Sequence, residues 1–254
     1  MRIATWNVNS IRARRPRLES WLAANEPDVL CLQETKVTDD ELPTLELRAT
    51  GYNVLHRGQK AYNGVAILAR SDISDPVYAL GDDTVDEQAR MVAGTIDGVR
   101  VVSVYVPNGQ SVGSDAYAYK LRWLAALRAF LQRDGLDRPL AVCGDYNIAP
   151  ETRDVYDPRA YDLMTTDDER AALSRIVDLG LRDALRQHHP DEQLFTWWDY
   201  RFNAFKRGRG ARIDHIFVTE PLAARCNDAR VDRDERASKQ PSDHAPVLAD
   251  FGDG

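Results

Sequence analysis

Cysteine is scarce in this chain: Cys31, Cys143 and Cys226 are three residues in 254, an odd number without metal-ligand spacing. That excludes a disulfide framework and a cysteine-held zinc site. Cys31 and Cys143 sit inside apolar runs, where a free thiol packs as a small hydrophobe. Long apolar runs are missing as well, and none approaches the roughly 18 residues that argue for a membrane span. The opening residues, Met1-Arg2-Ile3-Ala4-Thr5-Trp6, enter a strand without an apolar leader, so a protein of the reducing cytoplasm is expected. No Gly-x-Ser-x-Gly elbow, Walker loop or dinucleotide fingerprint occurs. Basic residues do not dominate either. The net charge of −7 argues against a chain that coats nucleic acid non-specifically, but not against one that contacts phosphate through a local basic cluster.

What is present is an ordinary globular composition, 43% apolar and 29% charged, long enough to bury a substantial core. The stretch Leu140-Ala141-Val142-Cys143-Gly144-Asp145-Tyr146-Asn147 opens as a doubly buried strand. It breaks at Gly144 and delivers a carboxylate and a carboxamide two residues apart, which in an extended chain share one side. Asp145 and Asn147 are therefore expected in one pocket at a strand mouth. Further strands are expected at 3–6, 29–32, 52–55, 65–68, 213–218 and 247–251, with a hairpin over 91–106 turning at Asp97-Gly98.

Leu18, Trp21 and Leu22 mark a first helix, closed by Pro27-Asp28. Ser114 caps a helix whose stripe is Leu124, Leu127 and Leu131 and which ends at Gly135. A second helical region is expected over 168–188. Residues 37–50 read as polar loop or short helix, and 195–201 as aromatic and β-prone. No linker, composition break or internal repeat divides residues 1–254, so one domain is expected. Strands outnumber helices, which points to a layered α/β sandwich and away from βαβ alternation.

The chemistry gathers at strand ends. Asn7, Glu34, Tyr105, Asp145, Asn147, Asp214, Asp243 and His244 all stand at or beside one. Carboxylates and amides with a single imidazole do not make a nucleophile triad. They suit a hard divalent cation, Mg²⁺ or Mn²⁺, in preference to zinc. Such a site hydrolyses phosphate esters: the cation and His244 neutralise charge while a carboxylate orients water. Lys206, Arg207, Arg209 and Arg212 form a glycine-broken basic loop suited to phosphate.

Trp6-Asn7-Val8-Asn9, Leu32-Gln33-Glu34-Thr35-Lys36, Tyr105-Val106-Pro107-Asn108-Gly109, Gly144-Asp145-Tyr146-Asn147, Arg212-Ile213-Asp214 and Ser242-Asp243-His244-Ala245-Pro246 occur in this order. Together they resemble the exonuclease III family of apurinic/apyrimidinic-site DNA repair nucleases, over essentially the whole chain. The resemblance implies a four-layer αββα sandwich with two packed mixed β-sheets flanked by helices. It also implies Mg²⁺-dependent cleavage of DNA phosphodiesters: nicking 5′ to an abasic site, 3′→5′ exonuclease action and 3′-phosphatase action. The substrate implied is double-stranded DNA with abasic sites or blocked 3′ ends, handled by a monomer with no membrane.

By motif, Glu34 would be the main metal ligand, with Asn7 and Asp243 supporting it. Asp145 would orient the attacking water, Asn147 would hold the scissile phosphate, and Tyr105 would donate to a phosphate or leaving oxygen. Asp243 would orient His244, which contacts the phosphate; Asp214 would position His244 or the surroundings of Asp145. Trp197 and Ile213 would wall the pocket for the base-free sugar, while Lys36, Arg207, Arg209 and Arg212 would bind the substrate. An abasic residue has no base to unstack, so turning it out of the duplex is cheap and itself selects damage. Another phosphoesterase of the same superfamily, acting on inositol phosphates or RNA, is the alternative. The Thr196-Trp197-Trp198 segment and the basic loop weigh against it.

Overall fold

A computed structural model describes residues 1–252. In chain order it forms β1 (Arg2–Asn7), α1 (Ile11–Asn25), β2 (Val29–Gln33), α2 (Thr44–Ala49), β3 (Asn53–Arg57), β4 (Val65–Ala69), β5 (Ser74–Val77), β6 (Met91–Ile96) and β7 (Val99–Tyr105). Then come α3 (Asp115–Asp134), β8 (Leu140–Asp145), α4 (Asp167–Val177), β9 (Leu181–Asp183), α5 (Ala184–His188), β10 (Asp214–Thr219), α6 (Glu220–Ala223), β11 (Cys226–Val231), α7 (Arg233–Ala237) and β12 (Val247–Phe251).

The strands form two six-stranded sheets, ordered β11-β12-β1-β2-β4-β3 and β5-β6-β7-β8-β10-β9. Each has one parallel pair joined by a helix: β1 and β2 through α1, β7 and β8 through α3. The other pairings are antiparallel. The two sheets thus repeat one plan, β1-β2-β4-β3 matching β7-β8-β10-β9. The amino-acid sequence carries no visible trace of that repeat.

Alternation along the strands explains the layering. Val29, Cys31 and Ile67 of the first sheet meet Val101, Cys143 and Ile216 of the second in a buried middle layer. The alternate residues Trp6, Leu30 and Leu32 face outward onto Leu18, Trp21 and Leu22 of α1. On the far side Val102, Val142 and Phe217 pack against Leu124, Leu127 and Leu131 of α3 and Leu173 and Ile176 of α4. Both faces of the central strands are therefore apolar, the reason they read as continuous hydrophobic runs. The result is the expected αββα sandwich.

Local signals act as read at several joints. The Ser114 hydroxyl accepts from the Tyr117 N–H at 3.1 Å to start α3. Asp97 and Gly98 both adopt positive φ, 47° and 79°, as the tight hairpin turn requires. Two expectations fail. The region 168–188 is not one helix: it breaks at Gly180 (φ 100°), and Leu181 to Asp183 pair with β10. Residues 195–201 form no strand. Trp197 makes only isolated bridges, to Ala211 and His244, before the chain turns through a short 3₁₀ segment at Arg201–Asn203. No helix among the described residues is long and apolar enough to cross a membrane.

Candidate active site

The repeat brings equivalent strand ends to one edge. Asn7 closes β1 and Glu34 follows β2; Tyr105 closes β7 and Asp145 closes β8. Asp214 opens β10, and His244 lies just before β12. Ladder register sets Tyr105 and Asp214 on either side of Asp145. Gly144 permits this row, because a Cβ there would come within 1.9 Å of the Val104 carbonyl oxygen.

Asn7 ties the two sheets together. Its Nδ2 donates to Glu34 Oε1 at 2.9 Å and to Asp145 Oδ2 at 3.0 Å. The Tyr105 hydroxyl donates to the same Glu34 oxygen at 3.0 Å. Lys36 Nζ lies 2.6 Å from Glu34 Oε2 and donates to Asn9 Oδ1 at 2.6 Å. Burial alone would raise the Glu34 carboxyl, but Lys36 and the Asn7 amide outweigh it and hold it below the usual value. Burial and the neighbouring Glu34 charge push the Tyr105 phenol well up, so it stays a donor.

Asp145 is fully buried, and desolvation raises it to about 7 against the opposing charge of His244. His244 moves up as well, to about 10: burial favours its neutral form, but the carboxylates of Asp214 and Asp145 win. Its Nδ1 donates to Asp214 Oδ2 at 2.9 Å, while Nε2 stands 3.7 Å from Asp145 Oδ2. Thr196 Oγ1 donates to the same Asp214 oxygen at 2.6 Å, and Asp214 Oδ1 is buried without a partner.

Asn147 reaches the site by a route other than strand alternation. Its φ is 50°, and its N–H donates to Asp145 Oδ1 at 2.9 Å, so a turn places it beside that carboxylate. Its Nδ2 donates to the Val106 carbonyl at 3.0 Å, and its Oδ1 accepts from Asn108 at 3.2 Å.

Donor atoms of Glu34, Asp145 and His244 all lie within 4.8 Å of one another. A ligating imidazole must be neutral. Asp214 and Asp145 favour the protonated ring of His244, which suits a charge partner better than a ligand. The remaining carboxylate oxygens fit a hard divalent cation, and the orphaned Asp214 oxygen adds to the acidity of the cleft.

Several residues do not occupy the places the motifs imply. Asp243 does not orient His244 and does not join the Glu34–Asp145–His244 cluster. Its two oxygens accept from Asn9 Nδ2 at 2.9 Å and Trp197 Nε1 at 3.1 Å. The carboxylate bonded to His244 is that of Asp214, which ladder register sets beside Asp145. Arg212 is fully buried and bonded to Asp154 at 2.7 Å and Asp183 at 2.6 Å, so it cannot reach a substrate. Ile213, 1% exposed, packs into an apolar cluster with Ala149, Val155, Met164 and Trp197; only Trp197 of the two wall residues is part-exposed. Arg207 and Arg209 do lie exposed on the basic loop.

Sequence reasoning missed Thr196 as the partner of Asp214, Asn108 as the partner of Asn147, and Arg90. The Arg90 guanidinium lies 4.7 Å from the Tyr105 ring centroid and donates to its carbonyl at 3.1 Å. Asn108 and Thr196 stood inside quoted segments; Arg90 carried no signal.

A family model described as the Endonuclease/Exonuclease/phosphatase family matches residues 4–244. The chain is 35% identical to exodeoxyribonuclease III of Haemophilus influenzae, over 99% of this chain and all of that protein. It is 32% identical to an exodeoxyribonuclease of Bacillus subtilis, over 97% of this chain and 98% of the other. Among solved structures it superposes on the 3′ phosphatase NExo from Neisseria, bound to a product DNA hairpin, with a TM-score of 0.97 at 44% identity and 99% of both chains. An AP endonuclease from Archaeoglobus fulgidus gives 0.96 at 40% identity, again over 99% of both.

Proposed function

Because the chain belongs to the endonuclease/exonuclease/phosphatase family, we propose that its acidic cleft cleaves DNA at abasic sites and at blocked 3′ ends, with Mg²⁺ as the cation. The protein is a DNA-repair nuclease, a phosphodiesterase of a metal-dependent family. The substrate is double-stranded DNA, taken by a monomer in the cytoplasm, with residues 1–254 working as one domain. The observation that carries this reading is the meeting of Glu34, Asp145 and His244 at the junction of the two sheets.

Glu34 and Asn7 would hold the cation, with Asp145 lining the same cleft. When bound, it supplies charge neutralisation and Lewis acidity at a phosphoryl oxygen. His244, kept protonated by Asp214, contacts a non-bridging oxygen and neutralises charge that grows in the transition state. Asp145 is poised near 7 to orient a water and take its proton. Asn147 spends one amide N–H on Val106 and keeps the other for the phosphate. Tyr105, held as a phenol, donates to a phosphate or leaving oxygen. Trp197 walls the sugar pocket with its ring edge-on to Tyr161, 6.2 Å between centroids. Lys36, Arg207 and Arg209 approach the backbone phosphates.

The test is a duplex carrying one abasic-site analogue, incubated with Mg²⁺ or with EDTA beside an inositol polyphosphate control. Nicking 5′ to the lesion in Mg²⁺ alone is expected. Turnover of the inositol polyphosphate with the duplex left intact would overturn the reading.

A further inference from the structure

Lys120 stands on the apolar stripe of α3, one turn before Leu124, and is fully buried. An unpaired ammonium there would be prohibitively costly, so its donors must find acceptors. Glu169 Oε1 of α4 takes one at 2.5 Å, the Asn147 carbonyl one at 2.8 Å, and the Asn108 carbonyl one at 3.3 Å. Glu169 is itself fully buried, its other oxygen accepting from the N–H and hydroxyl of Thr166.

Two of these acceptors belong to the loops that frame the phosphate end of the cleft. Above, the side chains of Asn108 and Asn147 are joined to each other; below, a single ammonium joins their backbones. Asn147 holds a left-handed φ of 50°, a turn conformation that asparagine tolerates, and the bonds from Lys120 and Asn108 fix where that turn sits. Packing alone does not explain a lysine here. A buried ion pair is commonly no more stable than apolar residues of similar volume, and the stripe already favours leucine.

We propose that Lys120 is a positioning residue of the reaction: it locks the Asn108 and Asn147 loops together so that the Asn147 amide faces the scissile phosphate, with Glu169 keeping it charged. The inference rests on the phosphate contact assigned to Asn147.

The test removes both buried charges at once, as Lys120→Met with Glu169→Met, and measures kcat and KM on the abasic duplex. With the parent's far-UV spectrum retained, kcat is expected to fall about 10- to 100-fold, because a misplacement near 1 Å has that effect, while KM stays within about 3-fold. In an Asn147→Ala background the same pair is expected to add less than about 2-fold, since the group it aims is gone. Undiminished kcat in the pair, or a full multiplicative loss in the Asn147→Ala background, overturns the proposal. Parental kcat in Asn147→Ala alone would instead remove the role given to Asn147. Where the apolar pair does not fold, Lys120→Gln with Glu169→Gln, polar but uncharged, supplies the same comparison.

Discussion

His244 donates from Nδ1 to Asp214 Oδ2 at 2.9 Å, and both side chains are buried. The bond fixes the ring so that Nε2 turns toward Asp145, 3.7 Å away. It also decides charge: with Asp214 and Asp145 near, the imidazole stays protonated to about pH 10.

Asp214→Asn is therefore expected to bring the His244 titration down from about 10, read from its ring proton shifts by NMR in metal-free protein. Turnover at pH 8 should fall about 10²- to 10⁴-fold, the usual range for a group of this kind. A ring that still titrates near 10 in the variant would show that Asp214 is not the cause.

Glu34→Ala and His244→Ala are each expected to abolish turnover while a fluorescent abasic duplex still binds. Chelation should act like Glu34→Ala, and added Mg²⁺ should restore only the parent. Unchanged activity in either variant would end the role given to that residue.

Arg212→Met removes the guanidinium that joins Asp154 and Asp183 in the interior, leaving Asp154 with Arg186 and Asp183 with the backbone N–H groups of Leu185 and Arg186. Removing one partner of a buried pair costs about 3–5 kcal/mol, so the thermal midpoint should drop sharply. Arg207→Ala and Arg209→Ala behave oppositely. Each is exposed, so stability should hold within about 0.5 kcal/mol, while the slope of log affinity against log salt falls by about 1. A normal salt slope in both would place the basic loop away from DNA.

Acid should unfold the protein through its neutral histidines. Burial and Arg212 lower His215 to about 4, and burial lowers His56 to about 4 despite Asp39. The unfolded chain takes up these protons near 6.5, so stability is complete above that pH and is lost as pH falls toward 4. The loss is on the order of 3 kcal/mol for a group as buried as His215. His215→Phe should flatten that part of the denaturant-midpoint profile; an unchanged slope would assign the acid sensitivity elsewhere.

The central strands were legible because apolar neighbours cover both of their faces, and α3 because Ser114 and Gly135 mark its ends. The edge strands β5 and β11 were not. Ser74-Asp75-Pro76-Val77 and Cys226-Asn227-Asp228-Ala229-Arg230-Val231 carry the proline and charges that keep edges from pairing further, and no apolar run marks them as strands. At the site, chain order brought the strand-end residues into view, with Asp214 and Asp243 both offered as partners of His244. Asp243 adjoins His244 in sequence, yet the ladder sets Asp214 beside Asp145, and a loop threonine completes its hydrogen bonding. Arg212 looked like a surface cation because nothing in a glycine-broken loop reveals Asp154 and Asp183 waiting beneath it. Lys120 does leave a trace in the sequence: a charge on an apolar stripe must have an interior counterpart.

Asn7 and Glu34 arrive on one sheet, Tyr105, Asp145 and Asp214 on the other, and Asn7 bridges them. Neither half of the repeated plan contains a working centre. Catalysis therefore has to wait for the halves to dock. The first appearance of nicked product is thus a clock for that docking event.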